Sequence, residues 1–164
     1  MFWKSSCEKA PAWTRPTMHS SMMDLLKLQS RYGFPRVLKE APGLARYGGK
    51  TMAEVLPRYR FGWLMTFTEL YDAAPEELRL KDRYAQAWAI NQIIECCKSK
   101  DEEEIGAYAL MGKFLGLICV HFTDNMTEES MAKAEDDELM AALMKIFKTR
   151  KEDAVWFMSD YRLM

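Results

Sequence analysis

The sequence lacks an excess of charge of either sign. Its 164 residues include 23 Lys and Arg against 24 Asp and Glu, which gives a formal net charge of −1. A chain this balanced has no overall positive field that would attract nucleic acid or anionic lipid. We therefore expect no direct binding of nucleic acid by this chain.

The spacing of cysteine and histidine that marks a metal site is also missing. The four cysteines form no C-x-x-C pair, and only His19 and His121 are available to complete a set of ligands. Structural zinc sites need such clusters, so we predict no bound metal and no cofactor. No disulfide framework is visible in a chain of this size, which favours a reducing compartment, the cytosol or the nucleus.

No segment combines the length and the uncharged composition of a membrane span. The longest apolar stretch, residues 105–122, carries Lys113 near its middle and three glycines, whereas a span should be longer and uncharged. The first residues, MFWKSSCEKAPAWTRP, have no continuous apolar core and carry several charges. They do not form the pattern of a signal peptide, and we expect no association with a membrane.

Catalytic motifs are absent as well. The sequence contains no G-x-x-x-x-G-K-[ST], G-x-G-x-x-G, G-x-S-x-G or H-E-x-x-H pattern, which removes the common phosphate-binding, hydrolase and metalloprotease signatures. Cys119 and His121 are too close along the backbone to suggest a nucleophile and its base, and no third group orients them. We interpret His121 as a packed or surface histidine. The chain is thus predicted not to be an enzyme and to have no catalytic residue.

What the sequence does contain is a series of apolar residues at helical spacing, which predicts an all-α domain over residues 20–164 after an irregular lead-in over residues 1–19. Residues 105–122 are ambiguous between a buried helix and two short strands around Gly112 and Lys113, and we favour a short β-hairpin near residues 107–118. Asn125 or Thr127 is expected to begin a helix. The predicted helices cover about Ser21–Tyr32, Thr51–Tyr71, Pro75–Cys97, a segment from Asn125 or Thr127 onward, and Lys151–Leu163.

The most distinctive of these segments is Leu78–Cys97, with the sequence LRLKDRYAQAWAINQIIECC. Its apolar residues occupy most of the circumference of a helix, which predicts burial on several sides. Gln86, Asn91 and Gln92 interrupt it, and each needs a hydrogen-bond partner if it is buried. They either pair with neighbouring helices or face a cavity and orient a small ligand.

Taken in order, these segments resemble the ligand-binding domain of nuclear hormone receptors, in particular the divergent type common in nematodes. The leading helix TMAEVLPRYRFGWLMTFTELY is similar to that of the family, and the turn Ala74–Glu77 follows it. The segment Leu78-Arg-Leu-Lys-Asp82-Arg83 then begins the central helix. Arg83 stands where the family has glutamine. ALMGKFLGL is similar to the family's β-turn, and FTDNMTEESM leads into the next helix. The resemblance covers roughly residues 20 to 160, without the DNA-binding module or the late helices of the fold.

The resemblance implies a layered helical domain in the nucleus, with the cytoplasm as the other location. It also implies regulation of transcription through a small lipophilic ligand or a coregulator protein. The alternative is a helical protein–protein interaction module without ligand or catalytic activity. Under the receptor-like interpretation, the candidates for the wall of a ligand pocket are Trp63, Phe67, Trp88, Gln92, Met111 and Phe114.

Overall fold

The centre of the molecule is a sheet, and the prediction of an all-α fold is therefore wrong. A computed structural model describes residues 24–47, 55–78, 82–98, 105–110, 114 and 116–159. The sheet has five strands in the order β1-β5-β2-β4-β3, and every neighbouring pair is antiparallel. The strands are β1 Val37–Leu38, β2 Tyr59–Thr66, β3 Gly106–Ala109, β4 Leu117–Asp124 and β5 Val155–Met158. The protein is mixed α/β.

Helices connect and cover these strands. The α-helices are α1 Phe67–Ala73, α2 Asp82–Cys97, α3 Glu128–Lys133 and α4 Asp137–Phe147, with 3-10 turns at Glu76–Leu78 and Lys151–Asp153. Residues 24–27 are also helical. In the part of the chain that the structure describes, no helix has the length and hydrophobicity needed to cross a membrane.

Two of the predicted helices contain strands instead. The predicted helix Thr51–Tyr71 is a strand from Tyr59 to Thr66 and becomes helical only at Phe67. The predicted helix Lys151–Leu163 is a 3-10 turn followed by β5. β5 is apolar on both of its faces because the sheet is covered on both sides, so the alternation that reveals a half-exposed strand is missing there. In β2 the residues do alternate, but Trp63 also lies at helical steps from Phe67 and Leu70, which favoured a helix. The remaining residues of these predictions, 51–54 and 160–163, lie outside the described residues.

The other segments agree better with the sequence. The helix predicted to end at Cys97 is confirmed over Asp82–Cys97, and the predicted hairpin is present as β3 and β4, with Tyr108 opposite Cys119. Of the helix predicted over Ser21–Tyr32, the described part is helical only at residues 24–27, because the chain then turns back and Gln29 bridges Pro35. The lead-in over residues 1–19 lies outside the described residues.

Side chains from α1, α2 and α4 cover one face of the sheet, which we call the helical face. α2 presents Ala85, Ala89 and Ile93 to this face, and the small alanines let the helix approach the strands closely. The opposite side of α2 faces solvent, where Tyr84 is 44% exposed. The prediction that this helix is buried on several sides is therefore wrong. The main members of this core are Phe61, Trp63, Met65, Leu70, Val120, Phe122, Met140, Leu143, Phe147 and Trp156.

The second face of the sheet has a smaller core and no long helix described over it. Leu64, Cys119 and Phe157 point to this face, where Phe114 and the segment 25–28 pack against them. The side chain of Phe114 meets Phe157 edge-on, with ring centroids 5.0 Å apart. The sheet is therefore buried on both sides, and its two faces carry separate clusters.

Candidate functional site

A groove of about 520 Å³ opens on the helical face, beside the region that α2 and α4 cover. We call it the aromatic groove. Its floor is Phe61 and Trp156, one wall is the segment 41–44, and the other wall is α3. The residues that line it are Lys39, Ala41, Gly43, Leu44, Phe61, Glu128, Met131, Ala132, Ala134, Glu135 and Trp156.

The floor of the groove is a rigid pair of aromatic rings. Phe61 in β2 lies opposite Trp156 in β5, so both side chains point to the helical face. Their ring centroids are 4.8 Å apart, and Phe61 also meets Phe122 at 5.5 Å. The floor is thus part of the main core and holds its shape whether or not the groove is occupied.

The wall formed by residues 41–44 is held by the side chain of Asn125. Its Nδ2 donates to the carbonyls of Gly43 at 3.0 Å and Pro57 at 3.1 Å, and its Oδ1 accepts from the amide of Tyr59 at 2.8 Å. The amide of Ala45 donates to the Asn125 carbonyl at 2.8 Å. Asn125 is fully buried, and its hydrogen bonds connect three segments of the chain. It does not cap a helix, so the first of the two predicted helix starts is wrong.

The opposite wall is α3, which begins where the second alternative placed it. Thr127 is its N-cap, and the Thr127 hydroxyl accepts from the amide of Ser130 at 3.0 Å. The hydroxyl of Thr123 in β4 donates to the carbonyl of Ser130, which fixes this short helix to the sheet. Met131 and Ala132 follow directly and line the groove.

Charged residues lie at the rim of the groove, and apolar ones lie inside it. Glu128 and Glu135 belong to the α3 side, and Lys39 to the other. The ammonium group of Lys39 donates to the backbone carbonyl of Glu152, so it is held at the edge. In the described residues, no group of three or more His, Cys, Asp and Glu side chains is placed to hold a metal ion. The lining suits an apolar ligand with a polar end.

Three of the residues predicted for a pocket wall lie in or against the core of the helical face. Trp63 is buried, and its indole N–H donates to the carbonyl of Arg150 at 3.0 Å. Phe67 packs near Tyr71 with ring centroids 6.5 Å apart, and Trp88 meets Phe147 edge-on at 5.7 Å. All three have neighbouring aromatic rings or backbone partners, and none of them lines the aromatic groove.

The other three predicted residues lie elsewhere. Gln92 is a partly exposed residue of α2, and Phe114 belongs to the core of the second face. Met111 lies outside the described residues. The sheet therefore separates Phe114 from Trp63, Phe67 and Trp88, and the predicted set does not form one wall.

Cys119 and His121 share the second face of the sheet, two residues apart on β4. Burial raises the pKa of the Cys119 thiol to about 12, although the nearby Arg60 and a hydrogen bond with Tyr108 act to lower it. The thiol thus stays protonated and is a poor nucleophile near neutral pH. His121 is fully buried and meets the Tyr108 ring edge-on at 5.5 Å, as expected for a packed histidine.

No motif or periodic pattern in the sequence indicated the residues that form the aromatic groove. Phe61 and Trp156 come from strands far apart in the chain, and both were assigned to helices, so only the register of β2 and β5 brings them together. Comparison with protein-family models, curated proteins and solved structures finds no match to this chain.

Proposed function

We propose that this protein binds a small lipophilic molecule in the aromatic groove and has no catalytic activity. The observation that carries the proposal is the floor of Phe61 and Trp156 in a groove of about 520 Å³. Sites for small molecules in proteins have volumes of roughly 300–1,000 Å³ and are mostly apolar, with a few polar groups that fix orientation.

The distribution of polar groups supports a small molecule over a metal ion or a polar metabolite. The walls offer Leu44, Met131 and alanines, whose apolar surface gains from removal from water, and the floor adds the small exposed parts of Phe61 and Trp156. Met131 can adapt its side chain to the shape of the ligand. The carboxylates of Glu128 and Glu135 lie at the rim, where they can meet a polar or cationic end of the ligand.

The resemblance to nuclear receptors adds a biological role to this proposal. If ligand binding regulates transcription, the chain acts in the nucleus, and the ligand controls its contact with a coregulator. The groove supports only the first step, the binding of a lipophilic molecule. It is built from a sheet and α3, so the ligand would not lie among layered helices as the family resemblance implied.

A protein partner is the second candidate, because exposed apolar side chains adjoin the groove. Leu44 is 38% exposed and Met126 is 43% exposed. The hydrogen bond from Ala45 to Asn125 brings their two segments together. An apolar patch beside a groove is a common feature of surfaces that bind other proteins.

The test compares two exposed helical alanines. Ala132 of α3 lines the groove, whereas Ala141 of α4 lines none of the described cavities. Ala132→Arg places a long charged side chain in the groove, and Ala141→Arg controls for the effect of the charge on a helix. Binding is measured by titrating the uncharged fluorescent dye Nile red, and native mass spectrometry of protein purified from cells looks for a bound small molecule.

We expect the wild type and Ala141→Arg to bind Nile red equally, and Ala132→Arg to bind it at least roughly tenfold more weakly, a loss of about 1.4 kcal/mol. Native spectra of the wild type should show the added mass of a ligand. Equal dye binding by both variants would place the ligand elsewhere. The absence of any bound molecule and of dye binding, together with a stable complex with another protein, would favour the protein partner.

A further inference from the structure

Arg60 lies on the second face of the sheet, opposite to the aromatic groove. It is a residue of β2 whose register partners are Phe157 in β5 and Asp124 in β4. Phe157 belongs to the core of the second face, and Arg60 points to the same side. The Arg60 side chain is partly buried. A guanidinium group in such a place normally has a carboxylate partner, because burial of an unpaired charge is costly.

Two hydrogen-bond acceptors hold the guanidinium in one orientation. Nη1 lies 3.0 Å from Nε2 of His121, and Nε donates to the hydroxyl of Ser159 at 3.1 Å. Arginine can only donate, so Nε2 of His121 is the acceptor and its ring proton lies on Nδ1. Ser159 is itself fixed, since its amide donates to the Arg58 carbonyl at 3.0 Å.

The backbone makes room for this arrangement. His121 lies opposite Gly106 in β3. A Cβ at Gly106 would lie 2.6 Å from Nε2 and 2.9 Å from Cε1 of the imidazole. A side chain at this position would therefore push the ring away from Arg60. Glycine at position 106 lets the fully buried imidazole face the guanidinium.

No carboxylate among the described residues neutralises Arg60. Asp124, its register partner, instead binds Arg58, whose Nε donates to Oδ2 at 3.2 Å. The other oxygen of Asp124 accepts from the amide of Met126 at 3.0 Å. The described carboxylate that lies opposite Arg60 in register is therefore taken by Arg58. Nη2 of Arg60 donates to no residue that the structure describes.

We propose that Arg60 is a binding site for an oxyanion, the carboxylate or phosphate group of a ligand, on the second face of the sheet. Both N–H groups of Nη2 and one of Nη1 remain available, and a planar guanidinium can bind two oxygens of such a group at once. His121 and Ser159 are positioning residues that hold the guanidinium plane, and they leave its positive charge for the ligand. The site is separate from the aromatic groove and does not depend on its function.

The test uses inorganic phosphate and acetate as probes, each titrated at constant ionic strength against chloride and followed by amide chemical shifts in NMR spectra. In the wild type we expect shifts at residues 60, 121 and 159. Arg60→Gln should weaken the affinity for the bound probe by roughly tenfold or more. The control is Arg31→Gln, an exposed arginine over the ring of Tyr32, which should bind as the wild type does. A response to phosphate alone identifies a phosphate site, and a response to acetate identifies a carboxylate site.

The variant Ser159→Ala distinguishes the loss of a binding site from a general effect of the Arg60 substitution on the fold. It keeps the charge but removes one of the two groups that orient it, so we expect probe affinity to fall several-fold while the amide spectrum stays that of a folded protein. Absence of shifts at these residues with both probes would overturn the proposal. Equal affinity in the wild type and in Arg60→Gln, or an unchanged affinity in Ser159→Ala, would also overturn it.

Discussion

At the scale of single residues, buried polar side chains decide how segments that are far apart in the chain meet. Asn125 satisfies the carbonyls of Gly43 and Pro57 and the amide of Tyr59 with one amide group. No apolar residue of similar size could do so. The wall of the aromatic groove therefore depends on a residue that does not itself line the groove.

Replacement of Asn125 by alanine should destabilise the protein strongly. The buried carbonyl of Pro57, the part-buried carbonyl of Gly43 and the buried amide of Tyr59 would lose their partners, and we expect the free energy of unfolding to fall by about 3 kcal/mol. Urea unfolding followed by tryptophan fluorescence measures it. Asn91→Ala, at an exposed position of α2, is the control and should change stability by less than about 0.5 kcal/mol. Equal effects in the two variants would contradict the assigned role of Asn125.

Gly62 allows the closest approach of β2 to β4. A Cβ at this position would overlap the carbonyl oxygen of Val120 and lie 2.7 Å from Cα of His121. Because these are backbone atoms of the central strand pair, they cannot move without disturbing the sheet. Gly62→Ala should therefore lower the free energy of unfolding by about 3 kcal/mol, as measured by chemical denaturation.

Gly43→Ala provides the comparison, since its Cβ would meet only the end of the Leu56 side chain, at 3.3 Å. That side chain can adjust, and the loss should stay below about 1 kcal/mol. If Gly62→Ala were as stable as Gly43→Ala, the close approach of the two strands would be wrong.

At the scale of elements, the sequence was informative where one side of an element faces water. Met140, Leu143 and Phe147 of α4 are buried at helical spacing, and the sequence predicted this apolar face. In β2, by contrast, Trp63 and Leu64 are adjacent and both buried, one on each face of the sheet. The first half of β2 alternates between apolar and other residues, but the burial of both faces from Trp63 onward ends this contrast, and the apolar residues can also be read at helical spacing.

The start of α4 depends on Asp136. Its carboxylate accepts from the amide of Leu139 at 3.1 Å and so satisfies one of the free amides of the first turn. Asp136→Ala should lower the free energy of unfolding by about 1 kcal/mol. Asp137→Ala is the matched control, because Asp137 makes only an exposed contact of 3.5 Å with Lys151, and such pairs contribute little. Thermal or urea unfolding of both variants tests this difference.

At the scale of the whole molecule, the folded state should lose stability at high pH. Burial raises the pKa of Cys119 from 9.0 to about 12 and that of Tyr59 from 10.0 to about 12. The folded protein keeps these protons, whereas the unfolded chain begins to release them near pH 9. The contribution of these two groups to the free energy of unfolding is therefore constant below about pH 9 and falls as the pH rises toward about 12.

Between about pH 8 and about pH 10.5, the Cys119 thiol alone should reduce the free energy of unfolding by about 1–2 kcal/mol. Cys119→Ala removes this group and should show a shallower decline, with the contribution of Tyr59 remaining above about pH 10. Urea unfolding at both pH values gives the comparison. A decline of equal slope in the wild type and in Cys119→Ala would show that the thiol does not carry the effect.

The candidate site could not be predicted at this scale, because it depends on contacts between distant segments. Phe61 and Trp156 are neighbours only through strand register, and Gly43 reaches the groove only through Asn125. Periodicity reports the local surroundings of an element and gives no information on its partner strand. Local features were accordingly predicted, namely the hairpin and a helix that begins at Asn125 or Thr127, while the aromatic groove and the surroundings of Arg60 were not.

The strand order also has a consequence for the sequence of events during synthesis. β5 lies between β1 and β2, and β1 has no other strand partner among the described residues. When a nascent chain has emerged as far as Phe147, β2, β4 and β3 can already pair, but β1 must wait for residues 155–158. Chains fold as they emerge from the N-terminal end, so the first of the described strands to leave the ribosome docks only when β5 is available. Until then the apolar residues of the second face lack the cover that Val37 of β1 gives them.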